Sequence, residues 1–352
     1  GCGTRSYGLL PSGSRRQLGR TDAIGRGMIR LALIGCQNAE SYAAFVPRLK
    51  GAVFTAAADA DLGLASAAQH ELGTLAIGQS LEELFSRFGD SFDAVVVDTP
   101  TLDRTDIARQ AVEAGKHLLV ETPMAFSMGD ADALIESSRL SKVKLMVGNL
   151  DRFGPVGQTV KEELESGELG VAGLLRIHRW ESSNIGSWRQ LFDAQGEKVI
   201  DTVRLIRDLD IAYWMFGNKP SEIFAIARRI SGSGTTCPDY VQIHLGFPDG
   251  GMAIIDYSTS LPQGPGYYFL SMIGSKGAAY ADDHNNVNLR YGTADIHALG
   301  TSYGNIELLS QLQEFVDSIN MEREPRISGI DGRSGLQIAD AAAMSIESGQ
   351  SI

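Results

Sequence analysis

The feature that most constrains the fold is a regular alternation of short apolar runs and amphipathic segments between residues 29 and 148. The apolar runs are typical of buried strands, and the segments between them show helical periodicity. Strands joined by helices form right-handed crossovers, so they lie parallel in one sheet with helices on both faces. The sequence therefore predicts an α/β fold with an N-terminal doubly wound parallel sheet of the Rossmann type. The predicted strands are 29–35, 52–58, 93–98, 117–120 and 144–148, and the predicted helices are 43–49, 62–72, 80–88, 105–114 and 128–140.

The pattern changes after residue 150, where strands follow one another with turns between them. Strands without intervening helices form antiparallel or mixed sheets, with helices on one face. We therefore expect a C-terminal α+β domain with a mostly antiparallel or mixed open sheet, which divides the chain into domains 28–149 and 150–352. The uncovered face of this sheet predicts a homodimer or homotetramer. The predicted strands are 173–180, 221–230, 239–247, 251–259, 267–273 and 278–281, and the predicted helices are 156–166, 202–216, 305–319 and 335–348.

Residues 1–27 differ in composition from the rest of the chain. They contain five arginines and a single acidic residue, Asp22, and they show little apolar periodicity. We expect them to be a disordered leader, or the product of a start site placed too early, with Met28 as the true beginning.

Charge and cysteine content exclude several classes of partner. A formal net charge of −12 argues against nucleic acid and against anionic membrane surfaces, both of which bind basic faces. No run approaches the roughly 18 apolar residues of a membrane helix. Cys2, Cys36 and Cys237 have neither metal-binding nor disulfide spacing, so we expect a cytoplasmic protein without a metal site.

The turn after the first strand is a weakened phosphate-binding loop. The Rossmann pattern G-x-G-x-x-G needs glycines for the turn, for approach to the pyrophosphate and for helix packing. Here Gly35 keeps the first position, whereas Gln37 and Glu40 occupy the other two. Gly35, Gln37 and Asn38 are candidate cofactor-binding residues. The alternatives are a weakened dinucleotide site and a Rossmann-like fold that has lost its cofactor.

Asp59 ends the second predicted strand, where such folds place an acidic residue against the adenosine ribose. A carboxylate there accepts hydrogen bonds from both ribose hydroxyls of NAD and repels the 2′-phosphate of NADP, so NAD is the favoured cofactor. The alternative is that Asp59 only caps the next segment.

Seven segments in order and in register carry a family resemblance. The chain resembles the Gfo/Idh/MocA oxidoreductases over about residues 28–352. The resemblance implies reversible hydride transfer between NAD or NADP and a carbon of a sugar or cyclitol, at a site between the two domains. It also makes Thr99, Pro100, Glu121 and Pro123 candidate cofactor-binding residues. For Thr99 and Pro100 the alternative is an ordinary strand-ending Thr-Pro. The segments are IRLALIGCQNAE, AAADAD, DAVVVDTP, AGKHLLVETPMA, VGNLDRFGPV, RDLDIAYWMFG and SIESGQSI.

The chain departs from this family at its proton-transfer positions. Where members carry Glu-Lys-Pro, the chain has Glu121, Thr122 and Pro123, and threonine supplies no cation. The catalytic histidine of the family corresponds to Arg207, and a further histidine corresponds to Arg104. Arginine stays protonated and accepts no proton. The family's catalytic positions are therefore substituted.

Four basic residues and one histidine are candidates for substitute roles. Arg152, Lys198, Arg204 and Arg207 could bind an anionic ligand, because a guanidinium pairs with carboxylate or phosphate. Alternatively, the arginines at 204 and 207 balance neighbouring aspartates on a solvated helix face. His178 is a candidate replacement base that faces either the cleft or an interface.

Three functions of different classes are consistent with this pattern. The first is an NAD(P)-dependent oxidoreductase with a degenerate site that acts on a sugar, a polyol or a sugar acid. The second is a non-catalytic NAD-binding sensor or regulator. The third is a structural subunit that partners a catalytic paralogue.

Overall fold

The computed structural model describes residues 27–101, 103–182, 205–228, 238–261, 267–282, 287–291, 297–300 and 306–352. These residues form two sheets, one of six strands and one of eight. The strands of the first sheet are β1 (Ile29–Ile34), β2 (Ala52–Ala58), β3 (Ala76–Gly78), β4 (Ala94–Val97), β5 (His117–Glu121) and β6 (Leu145–Gly148). The helices around it are α1 (Ala39–Ala43), α2 (Leu62–Leu72), α3 (Leu81–Phe88), α4 (Arg104–Glu113) and α5 (Met128–Ser141).

The first sheet is the doubly wound parallel sheet that the alternation predicts. Its strand order is β3-β2-β1-β4-β5-β6, and every neighbouring pair is parallel. All four residues of β4 and of β6 are buried, because helices cover both faces of the sheet. The strand order reverses direction between β1 and β4, so a crevice forms at the carboxyl ends of these two strands.

Local signals explain most of the element boundaries. The predicted helix 62–72 is confirmed. Ser80 lies three residues before Glu83, a spacing typical of a helix N-terminus, and its side chain accepts the Glu83 N–H at the start of α3. The predicted helix 43–49 is wrong. Instead α1 ends at Ala43, and a short 3₁₀ turn follows over Val46–Arg48. Pro47 lies inside that segment, and proline disfavours the helical conformation of the residue before it.

The second sheet is mixed and open, as predicted. Its order is β14-β13-β12-β11-β7-β10-β9-β8. The pair β7–β10 is parallel and the other pairs are antiparallel. The sequence did not predict β13 and β14. The strands are β7 (Ala172–Ser182), β8 (Glu222–Arg228), β9 (Tyr240–Gly246), β10 (Met252–Leu261), β11 (Tyr267–Gly274), β12 (Ala278–Asp282), β13 (Val287–Tyr291) and β14 (His297–Gly300).

Four helices complete the described chain: α6 (Pro155–Glu165), α7 (Ile206–Phe216), α8 (Ile306–Asn320) and α9 (Gly329–Ser348). The last begins six residues before the predicted 335–348, because Ser328 and Asp331 form a capping box. A Cβ at Gly329 would lie 2.7 Å from the Leu145 side chain, and one at Gly332 would lie 2.7 Å from Val147. These glycines therefore allow α9 to pack closely on β6.

The two faces of the second sheet have different surroundings. One face packs against α7 and α9. On the other face lie the side chains that alternate, along each strand, with the buried ones. We call it the open face. Its exposed apolar side chains are Trp180, Phe224, Tyr240, Met252 and Ile273. Among the described residues, no helix is both long and apolar enough to cross a membrane.

Candidate functional site

The loop after β1 passes closely over the end of β4. Gly35 has a φ of +90°, and a Cβ there would lie 2.2 Å from the Asp98 carbonyl oxygen. Only glycine fits both the conformation and the space. Within the described part of the chain, the N–H groups of Gln37 and Asn38 have no acceptor. The loop thus presents two unused donors directly before α1, while Glu40 is exposed in the first turn of that helix.

The Asp59 side chain forms a hydrogen bond with the same loop. Its Oδ2 accepts the Cys36 N–H at 2.8 Å, and its Oδ1 accepts the Asp61 N–H at 2.9 Å. The capping role considered for Asp59 is therefore present. Each carboxylate oxygen keeps a second lone pair, so the same side chain can still accept ribose hydroxyls.

A cavity of about 420 Å³ lies at the carboxyl ends of β1, β4 and β5, against the first turns of α7 and α8. Six of its residues are candidates from the sequence: Gln37, Asn38, Pro100, Glu121, Thr122 and Arg207. The others are Ser41, Tyr42, Asp98, Arg104, Asn149, Leu150, Glu307 and Leu308. Gly35, Asp59, Thr99 and Pro123 adjoin this region without lining the cavity.

The buried side chain of Arg104 links two loops of the site through hydrogen bonds. It is 3% exposed, and its Nε donates to the Thr99 carbonyl at 2.7 Å. Its Nη1 donates at 3.1 Å to the carbonyls of Glu121 and Pro123, and its Nη2 also donates to Thr99. The residue at this second histidine position therefore organises the backbone around Thr99 and Pro123.

Two carboxyl groups and a phenol lie together beneath the cavity. Burial, and then the nearby Asp98 carboxylate, raise the pKa of Glu121 to about 7. Burial also raises the pKa of Asp98, although the Asn38 amide donates to its Oδ2 at 3.1 Å and Arg104 opposes the shift. The pKa of Tyr42 is raised well above its usual range by burial and by these two carboxylates. Such shifts are typical of functional sites.

Arg207 lines the cavity and belongs to a network of ion pairs. Its Nη2 lies 2.9 Å from the Asp151 Oδ2, and Arg179 donates to the same oxygen at 2.7 Å. Arg179 also holds the fully buried Asp208 with three hydrogen bonds, and it lies 4.4 Å from the Tyr268 ring centroid. The alternative of a solvated helix face is wrong for this aspartate, because Asp208 is buried under Arg179.

Arg152 is placed outside the cavity lining. Arg152 is 4% exposed. Its guanidinium makes a two-pronged ion pair with Asp210, whose Oδ2 also accepts from the Asn149 amide at 2.6 Å. Asp210 is therefore also buried, and Arg152 is its partner. A substrate contact by Arg152 stays a prediction.

His178 lies on the open face, opposite the cavity. Its Nδ1 is 2.9 Å from the Asp256 Oδ2, and its ring contacts Phe269. Its neighbour Arg179 points to the other face, towards Asp208. The sequence left open whether His178 faces the cleft or an interface. In the structure its side chain points away from the cleft. Lys198 and Arg204 lie outside the described residues. Among those described, no three His, Cys, Asp or Glu side chains are grouped to hold a metal ion.

Sequence reasoning missed several cavity residues. Asp98 and Asn149 directly follow the buried strands β4 and β6. Carboxyl ends of parallel strands meet at one edge of a sheet, where ligands bind, so their position was the available signal. Tyr42 had no comparable signal, because its burial depends on the fold of α1.

The family models match most of the folded chain. The model described as an oxidoreductase family with an NAD-binding Rossmann fold matches residues 29–149, and the Gfo/Idh/MocA C-terminal domain matches residues 157–280. The chain belongs to the Gfo/Idh/MocA oxidoreductase family. It is similar to the myo-inositol 2-dehydrogenase of Thermotoga maritima, with 25% identity over 342 residues that cover 93% of this chain and 97% of that protein.

Two further proteins are similar to this chain. The inositol 2-dehydrogenase of Rhizobium meliloti is 27% identical over 265 residues, which cover 72% of this chain and 78% of that protein. An oxidoreductase from Agrobacterium radiobacter, solved with NAD⁺, L-tartaric acid and magnesium, shares the fold with a TM-score of 0.81. It is 23% identical, and the superposition covers 92% of this Gfo/Idh/MocA chain and 98% of the other.

Proposed function

We propose that this chain is an NAD-dependent oxidoreductase of sugars or polyols whose family proton-transfer positions are substituted. The observation that carries the proposal is the cavity at the carboxyl ends of β1, β4 and β5, bounded on its other side by Asn149, Arg207 and Glu307. Ligands of open α/β sheets bind in this crevice. The proposed division assigns the cofactor to residues 28–149 and the substrate side of the cleft to residues 150–352.

The residues present fit a dinucleotide. The Gln37 and Asn38 N–H groups can donate to a pyrophosphate beside the start of α1, and Asp59 can accept from a ribose. When bound, NAD supplies the hydride acceptor. The side chains of Gln37 and Glu40 weaken this binding without abolishing it, because one fills space and the other repels phosphate.

The cavity favours a neutral, polyhydroxylated substrate. Asp98, Glu121 and Glu307 accept hydrogen bonds from hydroxyl groups, and the Asn149 amide can donate. Asp151 already neutralises Arg207, which reduces the attraction of this arginine for a sugar acid. The inositol dehydrogenases among the relatives support the same substrate class.

The test is turnover by the purified protein with NAD or NADP and a panel of sugars, polyols and sugar acids, followed through the absorbance of the reduced cofactor. Reduction of NAD with a neutral member of the panel supports the proposal. Binding of NAD without reduction by any member would favour the sensor, for which the observation is that Thr122 and Arg207 line the cavity in place of a lysine and a histidine.

Replacing Asp59 with alanine is expected to weaken NAD binding by about 1.5–3 kcal/mol, the cost of a lost hydrogen bond to a charged group. Calorimetry on the wild type and on the variant measures this change. Asp61→Ala is the matched control, because Asp61 caps α2 by accepting the Gly63 N–H at 2.7 Å and should affect stability alone. Equal affinity of Asp59→Ala and wild type would leave Asp59 with its capping role only.

The open face is expected to bury itself against a second copy of the chain. Trp180 is 39% exposed and Tyr240 is 44% exposed, and large exposed apolar side chains on one sheet face are typical of an interface. We expect light scattering to give the mass of a dimer or tetramer, and Trp180→Asp to shift the protein towards a monomer. Leu140→Asp, on the exposed side of α5, should leave the mass unchanged. A wild-type monomer at micromolar concentration would contradict the prediction.

A further inference from the structure

Oxidation of an alcohol requires a proton acceptor, and the family positions do not provide one here. Thr122 and Arg207 both line the cavity. The threonine hydroxyl does not ionise near neutral pH, and the guanidinium of Arg207 is paired with Asp151 and stays protonated. His178 lies on the opposite face of the second sheet. Another group that faces the cavity must therefore take the proton if the reaction proceeds.

Glu121 has the required position. It ends β5 and lines the cavity. Its carboxyl group lies over Gly148, where a Cβ would be 2.5 Å from the carboxyl carbon and from both oxygens. Any larger residue at position 148 would therefore displace the Glu121 carboxyl group from the floor of the cavity.

A buried amide can stabilise both protonation states of this carboxyl group. The Nε2 of Gln311, on α8, donates to the Glu121 Oε1. Gln311 is 0% exposed, and within the described residues its Oε1 has no hydrogen-bond partner. If Glu121 gains a proton, the amide can turn so that Oε1 accepts from the carboxyl O–H. The amide therefore serves as donor to the anion and as acceptor from the acid.

The charges around Glu121 come from several elements. They are Asp98 at the end of β4, Arg104 on α4 and Arg207 on α7, with the Tyr42 phenol on α1 and Glu307 on α8 also at the cavity. Burial and Asp98 favour the neutral acid, whereas Gln311 and the two arginines favour the anion. The balance gives Glu121 a pKa of about 7, which suits a general base at neutral pH.

We infer that Glu121 is the catalytic base of this chain and that it accepts the proton of the substrate hydroxyl, in place of the family's lysine and histidine. The inference rests on the proposed function. In the forward reaction the carbinol C–H and O–H bonds break and a C=O bond forms. A bound NAD would accept the hydride, and the proton passes to a Glu121 carboxylate oxygen and then to water. Asp98 is a positioning residue that tunes the proton affinity of Glu121.

The first test follows the carboxyl group itself in the protein without ligands. Infrared difference spectra across the pH range should show a protonated carboxyl band that disappears near pH 7 and is absent from Glu121→Gln. Glu113→Gln, on the exposed side of α4, is the control and should keep the band. A Glu121 carboxyl that titrates in the ordinary glutamate range would overturn the inference without any measurement of activity.

The second test uses turnover with the substrate found in the panel. Glu121→Gln should lower kcat/KM by about 10²–10⁴-fold, the range for a placed general base. The wild-type rate should fall as the pH drops through about 7. Asp98→Asn should move this inflection to lower pH, because removing a like charge lowers the pKa of Glu121. Wild-type turnover with an unchanged rate in Glu121→Gln overturns this inference alone, whereas absence of wild-type turnover across the panel overturns the proposed function and the inference with it.

Discussion

Replacing Arg104 with alanine is expected to lower the free energy of unfolding by about 3–5 kcal/mol. The guanidinium is almost fully buried, and it donates to the carbonyls of Thr99, Glu121 and Pro123. Alanine would leave these acceptors without a donor in a region that water reaches poorly. Each unsatisfied buried acceptor costs about 1–3 kcal/mol.

The measurement is urea unfolding of the wild type and the variant. Arg109→Ala provides the matched control on the same helix, because Arg109 makes only exposed pairs with Asp106 and Glu113. Such surface pairs contribute about 0–1 kcal/mol. If Arg104→Ala were no more destabilising than Arg109→Ala, the carbonyls would have other donors and Arg104 would not organise the site.

A change of similar size is expected at Asp208, on α7. This carboxylate is 0% exposed and accepts three hydrogen bonds from Arg179. Asp208→Ala would leave a buried guanidinium with Asp151 as its remaining carboxylate in the network, and breaking a buried pair from one side costs about 3–5 kcal/mol.

A double variant that removes both charges separates the effect of the ion pair from that of the surrounding packing. Removing both charges, as in Asp208→Leu with Arg179→Met, should recover much of the stability lost in Asp208→Ala, because no uncompensated charge remains. Asp132→Ala, which removes a partly exposed pair with Arg333, is the control and should cost under about 1 kcal/mol. A double variant as unstable as Asp208→Ala would show that packing, rather than the charge, dominates.

Patterns local in sequence predicted the fold well. The apolar runs of the first 150 residues specify buried parallel strands, and Ser80 marks the start of a helix by its own chemistry. The wrong helix 43–49 has a local cause in Pro47, whereas the start of α9 also involves a contact distant in sequence. The glycines at 329 and 332 look like helix breakers, yet they lie in α9, where their small size lets the helix pack on β6.

The site was less predictable for the same physical reason. The sequence identified six cavity residues by motif position. It could not assign partners such as Arg207 with Asp151, which are 56 residues apart, or Arg152 with Asp210, which are 58 apart. Charge balance along one helix suggested a solvated face, whereas the actual counter-ions come from other elements. The proton affinity of Glu121 likewise depends on burial and on Asp98, neither of which a single segment reveals.

The position of α9 has a consequence for how the cleft can move. This helix packs against α5 and β6 of the first sheet layer and against α7 and β8 of the second, and the terminal Ile352 exchanges backbone hydrogen bonds with Ile223. A wide hinge opening would pull Leu145 and Val147 away from the helix glycines that cover them. Separating the two layers would therefore cost the packing of α9 on one of them, which opposes a wide opening of the cleft.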